Sequence, residues 1–267
     1  MNHPRRGPAS PLCGHHAVVT GGGRGIGKAI SVELGRLGAD VTLMGRDTAA
    51  LEACAGMLRA THGTKVGTQQ LDLASPASIA GAFERARAHL GPATILVNNA
   101  GIAHSAPFAR TSLEKWQEIL AIDLTGPFLC IQQVLAPMLA AGNGRIVNIS
   151  STSGLTGCAY VTAYCAAKHG LIGLTRSLAM EVARRGVTVN AVCPGFTDTD
   201  IVSRAVENIV AKTGRNAEQA IAELVSHNPQ CRLIDPDEVA SAVGWLCLPS
   251  ARSVTGQSLL VAGGELM

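Results

Sequence analysis

The 267-residue sequence has few aromatic and few charged side chains. Aromatic residues make up 3% of the chain and charged residues 15%, whereas 47% of the residues are hydrophobic. With so few rings the core must be aliphatic, and aliphatic cores suit parallel strands that are buried on both faces. The net charge is only +3, and because no basic run is present we predict no nucleic-acid partner.

Patterns for metal binding, secretion and membrane insertion are also absent. The eight cysteines form no C-x-x-C pair and join no histidine cluster, so we predict no metal site, no disulfide framework and a reducing, cytoplasmic location. No stretch of about 18 apolar residues occurs, so we predict no membrane span. Residues 1–12 contain three prolines and two arginines with no apolar run behind them. This composition predicts a disordered tail rather than a signal peptide.

Strand and helix signals alternate from residue 13 to residue 267. The predicted strands begin near Ala17, Val41, Val66, Ile95, Arg145, Val187 and Ser258. Helical patterns separate them, and the long pattern over 113–140 carries a bend or offset near Gly126-Pro127. This alternation is typical of right-handed βαβ units. We therefore predict an α/β fold: a single Rossmann-type, doubly wound domain over 13–267, with about seven parallel strands and helices on both faces.

A glycine-rich turn follows the first predicted strand. Residues 20–27 read Thr-Gly-Gly-Gly-Arg-Gly-Ile-Gly and lead directly into a helical pattern. Glycine has no Cβ, so the backbone can turn sharply and approach a pyrophosphate closely. The helix N-terminus offers free N–H groups and a partial positive charge to the same anion. The strand–turn–helix context favours a phosphate site over a turn without a ligand.

The turn and four later segments resemble the short-chain dehydrogenase/reductase family along nearly the whole chain. The segments that match, in order, are Gly21, Gly25 and Gly27; Asn98-Asn99-Ala100-Gly101; Ser151; Tyr164 with Lys168; and Pro194-Gly195 with Thr199. The resemblance implies a Rossmann fold and an NAD(P)-dependent oxidoreductase that transfers hydride between a ketone and a secondary alcohol. It also implies a homodimer or homotetramer.

The cofactor preference depends on the residue that ends the second strand. An acidic residue there would bind a ribose hydroxyl and repel a 2′-phosphate, but this sequence has Gly45 followed by Arg46. A guanidinium suits phosphate by charge and geometry, so we predict NADP(H), with NAD(H) left open and a solvated Arg46 as the alternative. The resemblance implies a cofactor site made of Gly21, Gly23, Arg24, Gly25, Ile26, Gly27, Arg46, Asp72, Leu73, Asn99, Ala100, Gly101, Tyr164, Lys168, Pro194, Gly195, Thr197 and Thr199. Among these, Asp72 matches the position that contacts the adenine amino group.

The candidate catalytic residues are Tyr164, Lys168 and Ser151. Tyr164 and Lys168 are four apart on a predicted helix and so share one face. A phenol with a pKa of about 10 is a poor base, but an ammonium and an oxidised nicotinamide nearby stabilise the phenolate. We predict that Tyr164 is the acid/base and that Ser151 binds the substrate oxygen. Ser150 and Ser153 compete for the serine role, and the family spacing selects Ser151.

One catalytic position departs from the family pattern. The family usually has asparagine where this chain has Asp123, and there it bends the helix so that a main-chain carbonyl holds a water near the lysine. An ionised aspartate can accept hydrogen bonds but cannot donate them. We expect an altered proton relay with shifted pKa values near Lys168. A non-catalytic NADP-binding sensor is the alternative that this departure raises.

The substrate region carries weaker signals. Residues 197–231 form a long apolar connection, for which a substrate lid and simple packing on the sheet are equally open readings. By family position the substrate pocket contains His104, Ser105, Leu155, Tyr160 and Phe196. The segment around Cys193-Pro194 resembles β-ketoacyl reductases of acyl-thioester and polyketide pathways. We therefore predict reduction of a 3-oxoacyl thioester, with hydroxysteroids, sugars and small alcohols as alternatives.

Overall fold

In a computed structural model, which describes residues 10–266, the predicted strands form one parallel sheet. Its strands are β1 (His16–Thr20), β2 (Asp40–Gly45), β3 (Val66–Gln70), β4 (Ile95–Asn98), β5 (Gly144–Ile149), β6 (Val187–Pro194) and β7 (Ser258–Val261). Across residues 10–266 the seven strands lie in the order β3-β2-β1-β4-β5-β6-β7. Every neighbouring pair is parallel.

Helices join the strands. They are α1 (Gly25–Arg36), α2 (Thr48–His62), α3 (Pro76–Leu90), α4 (Leu113–Leu120), α5 (Gly126–Ala141), α6 (Thr162–Val182), α7 (Asp200–Thr213), α8 (Ala217–Leu224) and α9 (Pro236–Cys247). Local signals explain several of the starts. Asp47 accepts a hydrogen bond at the N-cap of α2, and Ser75 does so before Pro76 at the first turn of α3.

The core lies on both faces of the sheet. One apolar cluster joins Leu34 of α1, Leu58 of α2 and Val243 of α9 to the strands. A second cluster joins Phe83 of α3, Val134 of α5 and Leu178 of α6 to the opposite face. The predicted α/β, doubly wound class is therefore confirmed. Strand order reverses between β1 and β4, and in such sheets the ligand cleft lies at the carboxyl ends of these strands.

Leu12, the last residue of the predicted N-terminal tail, packs into the core. Residues 1–9 lie outside the described part of the chain, but Leu12 is completely buried. Its N–H donates to the carbonyl of Leu37 over 3.0 Å, and its side chain belongs to the same cluster as Leu34. Leu12 is an apolar residue that fills space beneath α1, and the neighbouring prolines obscured that signal in the sequence.

The predicted bend in the long central helix is a π-helical turn over Ala121–Thr125. It separates α4 from α5, and Gly126 starts α5 directly after it. The run Leu113–Ala141 contains an 18-residue window with a mean hydropathy of 1.6 and would be long enough to cross a membrane. In this fold it packs against the sheet and against α3 and α6, and it contains the buried carboxylate of Asp123. One face of the run therefore packs in the core, while Leu113 and Phe128 lie on its exposed side.

Candidate active site

The glycine-rich turn lies at the carboxyl end of β1, as predicted. Gly21 and Gly25 have φ angles of 67° and 50°, which side-chain-bearing residues rarely adopt. A Cβ at Gly27 would lie 2.1 Å from the carbonyl oxygen of Gly21. No side chain caps the first turn of α1, whose N-cap is Arg24. The turn is thus closely packed, with free N–H groups at the helix N-terminus, and these features fit a dinucleotide phosphate.

Hydrogen bonds connect this turn to the end of β4. The side-chain amide of Asn99 donates to the carbonyl of Thr20 over 2.9 Å. The hydroxyl oxygen of Thr20 accepts from the backbone N–H groups of Asn99 (3.0 Å) and Ala100 (3.1 Å). Thr20 was not among the predicted site residues, although it is the threonine of the glycine motif. It fixes the two loops that border the predicted cleft.

The two predicted phosphate-binding arginines differ in their contacts. Arg24 pairs with Asp47 and lies 3.6 Å from Asp200, the first residue of α7. Arg46 is exposed and makes no ion pair with any residue of the described chain. Arg46 is therefore available to an anion, whereas Arg24 would have to exchange its carboxylate partners.

Arg46 lies beside a cavity at the edge of the sheet. The cavity has a volume of about 320 Å³ and is lined by Arg46, Gln70, Leu71, Asp72, Ser78 and Arg85. Two of these lining residues, Arg46 and Asp72, are predicted cofactor residues. It also contains Arg85, which the sequence did not single out because a lone arginine on an amphipathic helix resembles any solvated side chain. Arg85 donates to Gln69 over 2.7 Å, which orients it along β3.

Tyr164, Ser151 and Lys168 meet where β5 ends and α6 begins. Lys168 is buried, with its ammonium donating to the carbonyl of Ile149 over 3.1 Å. The same nitrogen lies 5.4 Å from the centre of the Tyr164 ring. Ser151 faces the phenol and stabilises its ionised form. The structure therefore brings the three predicted catalytic residues together, whereas Ser150 points away and donates to the carbonyl of Lys168.

Asp123 contacts the lysine directly. One carboxylate oxygen accepts from the N–H of Ile102 over 2.9 Å, and the other lies 3.3 Å from the Lys168 nitrogen. That second oxygen has no hydrogen-bond partner in the described chain. Asp123 is completely buried within the π-helical turn. The expected charge near Lys168 is therefore present as a buried ion pair.

These contacts shift three pKa values. Burial raises the pKa of Asp123, and the Lys168 ammonium opposes this rise. Burial lowers the pKa of Lys168, but Asp123 and Tyr164 together outweigh it, so its pKa lies above the usual value. Burial also raises the pKa of Tyr164, Lys168 lowers it, and Asp123 raises it further. Lys168 acts in the direction expected, but burial and Asp123 outweigh it, so the pKa of Tyr164 lies above its usual value.

Comparison with known proteins identifies the family. The family model described as "short chain dehydrogenase" matches residues 15–210. The chain belongs to this family. It is 40% identical to a 3-oxoacyl-[acyl-carrier-protein] reductase of Aquifex aeolicus, over 95% of this chain and 98% of the relative. It is also 39% identical to a D-beta-hydroxybutyrate dehydrogenase of Cupriavidus necator, with the same two coverages.

A solved structure of the short-chain dehydrogenase family is similar throughout. It is a single-residue variant of actinorhodin polyketide ketoreductase with NADPH, which is 36% identical and gives a TM-score of 0.90. The match covers 94% of this chain and 97% of that chain. The predicted family, fold and enzyme class are therefore confirmed, and the chain is an oxidoreductase of this family.

The remaining predicted residues surround this centre at different depths. Leu155 packs against Ile172 and Cys193. Tyr160 is 63% exposed with a φ of 67°, and its carbonyl accepts from Ala106 over 2.8 Å, next to the exposed residues 104 and 105. Leu73 and Thr197 are buried, and Phe196 is 37% exposed. Ile26 packs against the apolar cluster that contains Leu34. Gly23 lies against the backbone of Ala50, Gly101 against the carboxylate of Asp123, and Gly25 against the side chain of Thr199. Within 10–266 no cluster of three His, Cys, Asp or Glu residues could hold a metal.

Proposed function

We propose that this chain reduces 3-oxoacyl thioesters to 3-hydroxyacyl thioesters with NADP(H). The observation that carries the proposal is the group of Tyr164, Lys168 and Ser151 at the carboxyl end of the sheet, beside the glycine-rich turn. Relatives with about 40% identity over almost the whole chain are named as reductases of 3-oxoacyl groups. Oxidation of a small hydroxy acid is the second candidate, because another relative is named D-beta-hydroxybutyrate dehydrogenase.

The chemistry requires a proton donor and an oxygen-binding group from the protein, while the reduced nicotinamide supplies hydride when bound. Tyr164 is the proton donor to the carbonyl oxygen, and Ser151 holds that oxygen in place. The ammonium of Lys168, 5.4 Å from the ring centre, stabilises the phenolate that remains. The carbonyl of Ile149 and the carboxylate of Asp123 fix the ammonium in place.

The cofactor proposal rests on charge around the end of β2. Arg46 and Arg85 line one cavity with Asp72, and Gly45 provides no carboxylate to repel a 2′-phosphate. Replacing Arg46 with Asp removes a phosphate-binding cation and adds a carboxylate. The NADPH dissociation constant should rise about tenfold or more, and that for NADH much less. Fluorescence titration measures both, with Arg184→Asp as the control on an exposed arginine of the α6–β6 turn. Equal losses for the two cofactors would contradict the assignment.

A lid over residues 197–231 is proposed from the way this segment is attached. Its base is held by backbone bonds from Ile234 N–H to the carbonyl of Phe196 (2.8 Å) and from Asp198 N–H to that of Ile234 (2.9 Å). Beyond that base, α7 and α8 contact each other and are largely exposed. Such a segment can move as a unit over the cleft.

We further propose a cytoplasmic homodimer or homotetramer without nucleic-acid or membrane partners. Its support is the exposure of large apolar side chains on the central helices: Leu113 at 65%, Phe128 at 42% and Met180 at 85%. Exposed apolar surface of this kind marks interfaces. Light scattering would test the oligomer, and a monomer would contradict it.

The deciding experiment is a steady-state screen of 3-oxoacyl-CoA substrates of increasing chain length. Each substrate is tested with NADPH and with NADH, alongside a hydroxysteroid, a sugar and a small alcohol in the reverse direction. The expected result is turnover of thioesters with a preference for NADPH. Tight NADPH binding without turnover of any substrate would instead support a cofactor sensor.

A further inference from the structure

The carboxylate of Glu265 lies against Gly195, at the carboxyl end of β6. A Cβ placed on Gly195 would lie 2.8 Å from one Glu265 oxygen, so the carboxylate contacts the backbone there. Glu265 follows β7, and its N–H donates to the carbonyl of Ala262 over 3.1 Å. The last residues of the described chain therefore return to the edge of the sheet where the candidate site lies.

The loop between Ser151 and Tyr164 lies within the electrostatic range of the same carboxylate. Burial and the neighbouring thiol of Cys165 raise the pKa of Cys158, and Glu265 raises it further. The thiol of Cys165 also contacts the carbonyl of Cys158 over 3.8 Å, and Cys165 directly follows Tyr164. The charge of Glu265 thus acts on the loop that connects the two candidate catalytic residues.

Gly195 is also close to the serine. The N–H of Ser150 donates to the carbonyl of Val192 over 2.8 Å, so β6 runs directly beside the start of the Ser151 loop. The thiol of Cys193 interacts with Ser150, with the Ser151 backbone and, through charge, with Lys168. Gly195 is two residues further along, at the opening of the cleft. The Glu265 carboxylate therefore lies at the carboxyl end of β6, on the same edge of the sheet as the start of the Ser151 loop.

Within the described chain, the Glu265 carboxylate forms no polar contact that would stabilise the fold. It is half-buried, and it forms no ion pair and no side-chain hydrogen bond with any residue in 10–266. Salt bridges elsewhere pair nearby carboxylates with arginine or lysine, as in Arg232 with Glu238. An unpaired negative charge next to a cleft selects ligands by their charge, because it attracts cations and repels anions.

We propose that Glu265 is a specificity-determining residue that disfavours substrates with a carboxylate close to the reacting carbonyl and so favours uncharged ketones and thioesters. The proposal rests on the function proposed above and refines it. In a free 3-oxo acid the carboxylate is only two carbons from the ketone, so a ketone bound at Tyr164 brings a second negative charge to the same edge of the sheet as Glu265. A thioester has no charge at that position. The partly enclosed site strengthens the repulsion.

Glu265→Gln tests the proposal, because it removes the charge and keeps the shape. Acetoacetate and ethyl acetoacetate have the same carbon skeleton around the ketone, and only the first is an anion. We expect the ratio of their kcat/KM values, anion over ester, to rise about tenfold or more in the variant. The ratio in the unchanged protein should also rise with salt, because salt screens the repulsion. Glu181→Gln, an exposed change on α6, is the control for overall charge. An unchanged ratio in Glu265→Gln overturns the proposal.

A binding measurement separates this proposal from the proposed function. Calorimetry follows 3-hydroxybutyrate binding to the protein saturated with NADP⁺, which requires no turnover. If no ketone is reduced, the proposed function fails, but binding of this anion at least tenfold more tightly to Glu265→Gln would still support the role of Glu265. Equal affinity, or no binding to either protein, would overturn it.

Discussion

Ionisable side chains are buried at both ends of the sheet, but they are held in different ways. At the carboxyl end, Lys168 and Asp123 are 5% and 0% exposed as side chains and form an ion pair of 3.3 Å. At the amino end, His16 is 4% exposed and uses both ring nitrogens. One nitrogen lies 2.8 Å from the carbonyl of Gly91 and the other 2.8 Å from the hydroxyl of Thr42.

The difference is one of charge. Burial lowers the pKa of His16, so its ring is neutral near pH 7, with one nitrogen donating to Gly91 and the other accepting from Thr42. The lysine, by contrast, has a raised pKa because of its partners. A buried ion pair often stabilises a fold no more than apolar residues of the same shape would. We infer that the charged pair is present for the chemistry of Tyr164 and that the neutral histidine serves the fold.

The largest expected effect is on the acid/base group at the charged end. Tyr164→Phe removes the proposed proton donor and leaves the ring packing in place. We expect kcat to fall by about 10²- to 10⁴-fold, while NADPH affinity changes little. Steady-state kinetics and fluorescence titration measure the two quantities. Tyr160→Phe removes the hydroxyl of a predicted pocket residue and should change KM rather than kcat, so a comparable loss of kcat there would refute the assignment of Tyr164.

The next effect concerns stability at the same end. Asp123→Leu leaves the ammonium of Lys168 buried without its counter-charge. Breaking a buried pair in this way costs about 3–5 kcal/mol, which urea unfolding would measure. Asp200→Asn removes one partner of the exposed contact with Arg24 and should cost less than about 1 kcal/mol. Similar losses for the two variants would mean that the buried pair has no special role.

Asp123→Asn tests whether the charge of Asp123 acts on the pKa of Tyr164. Asparagine keeps the shape and an acceptor for Ile102 but carries no charge. Since the charge of Asp123 raises the pKa of Tyr164, this pKa should fall in the variant. Carbonyl reduction needs the protonated phenol, so the alkaline decline of its rate should move to lower pH. A pH–rate profile measures this, and an unmoved decline would show that Asp123 does not act on Tyr164.

The smallest expected effect is on the pH dependence of stability, through His16 at the amino end of the sheet. Unfolded His16 binds a proton near pH 6.5, whereas the folded residue has a lower pKa. The unfolded chain therefore binds more protons just below pH 6.5, and stability falls as pH decreases there by at most about 1.4 kcal/mol per unit. His16→Gln should reduce that slope in urea unfolding between pH 7.5 and 5.5. His227→Gln, on an exposed residue, should leave it unchanged; an equal reduction would refute the assignment to His16.

Local signals in the sequence predicted much of the fold and the motif residues. The seven predicted strand segments all became strands, and Gly126-Pro127 correctly marked the interruption of the central helix. Leu12 was misjudged because its burial depends on Leu37, which lies 25 positions later in the sequence. Arg85 and Glu265 were missed because a single charged residue has no periodicity or motif, and only its spatial neighbours indicate a role.

The sequence by itself determined the alternation of strands and helices, the glycine turn and the spacing of Tyr164 and Lys168, since these depend on residues near one another in the chain. The tertiary structure alone decided which distant groups meet. It brought the Asp123 carboxylate, between α4 and α5, to the Lys168 ammonium on α6, and it brought the Glu265 carboxylate, after β7, to Gly195. Charge and burial act through space, so pKa values and substrate electrostatics follow from the fold rather than from sequence order.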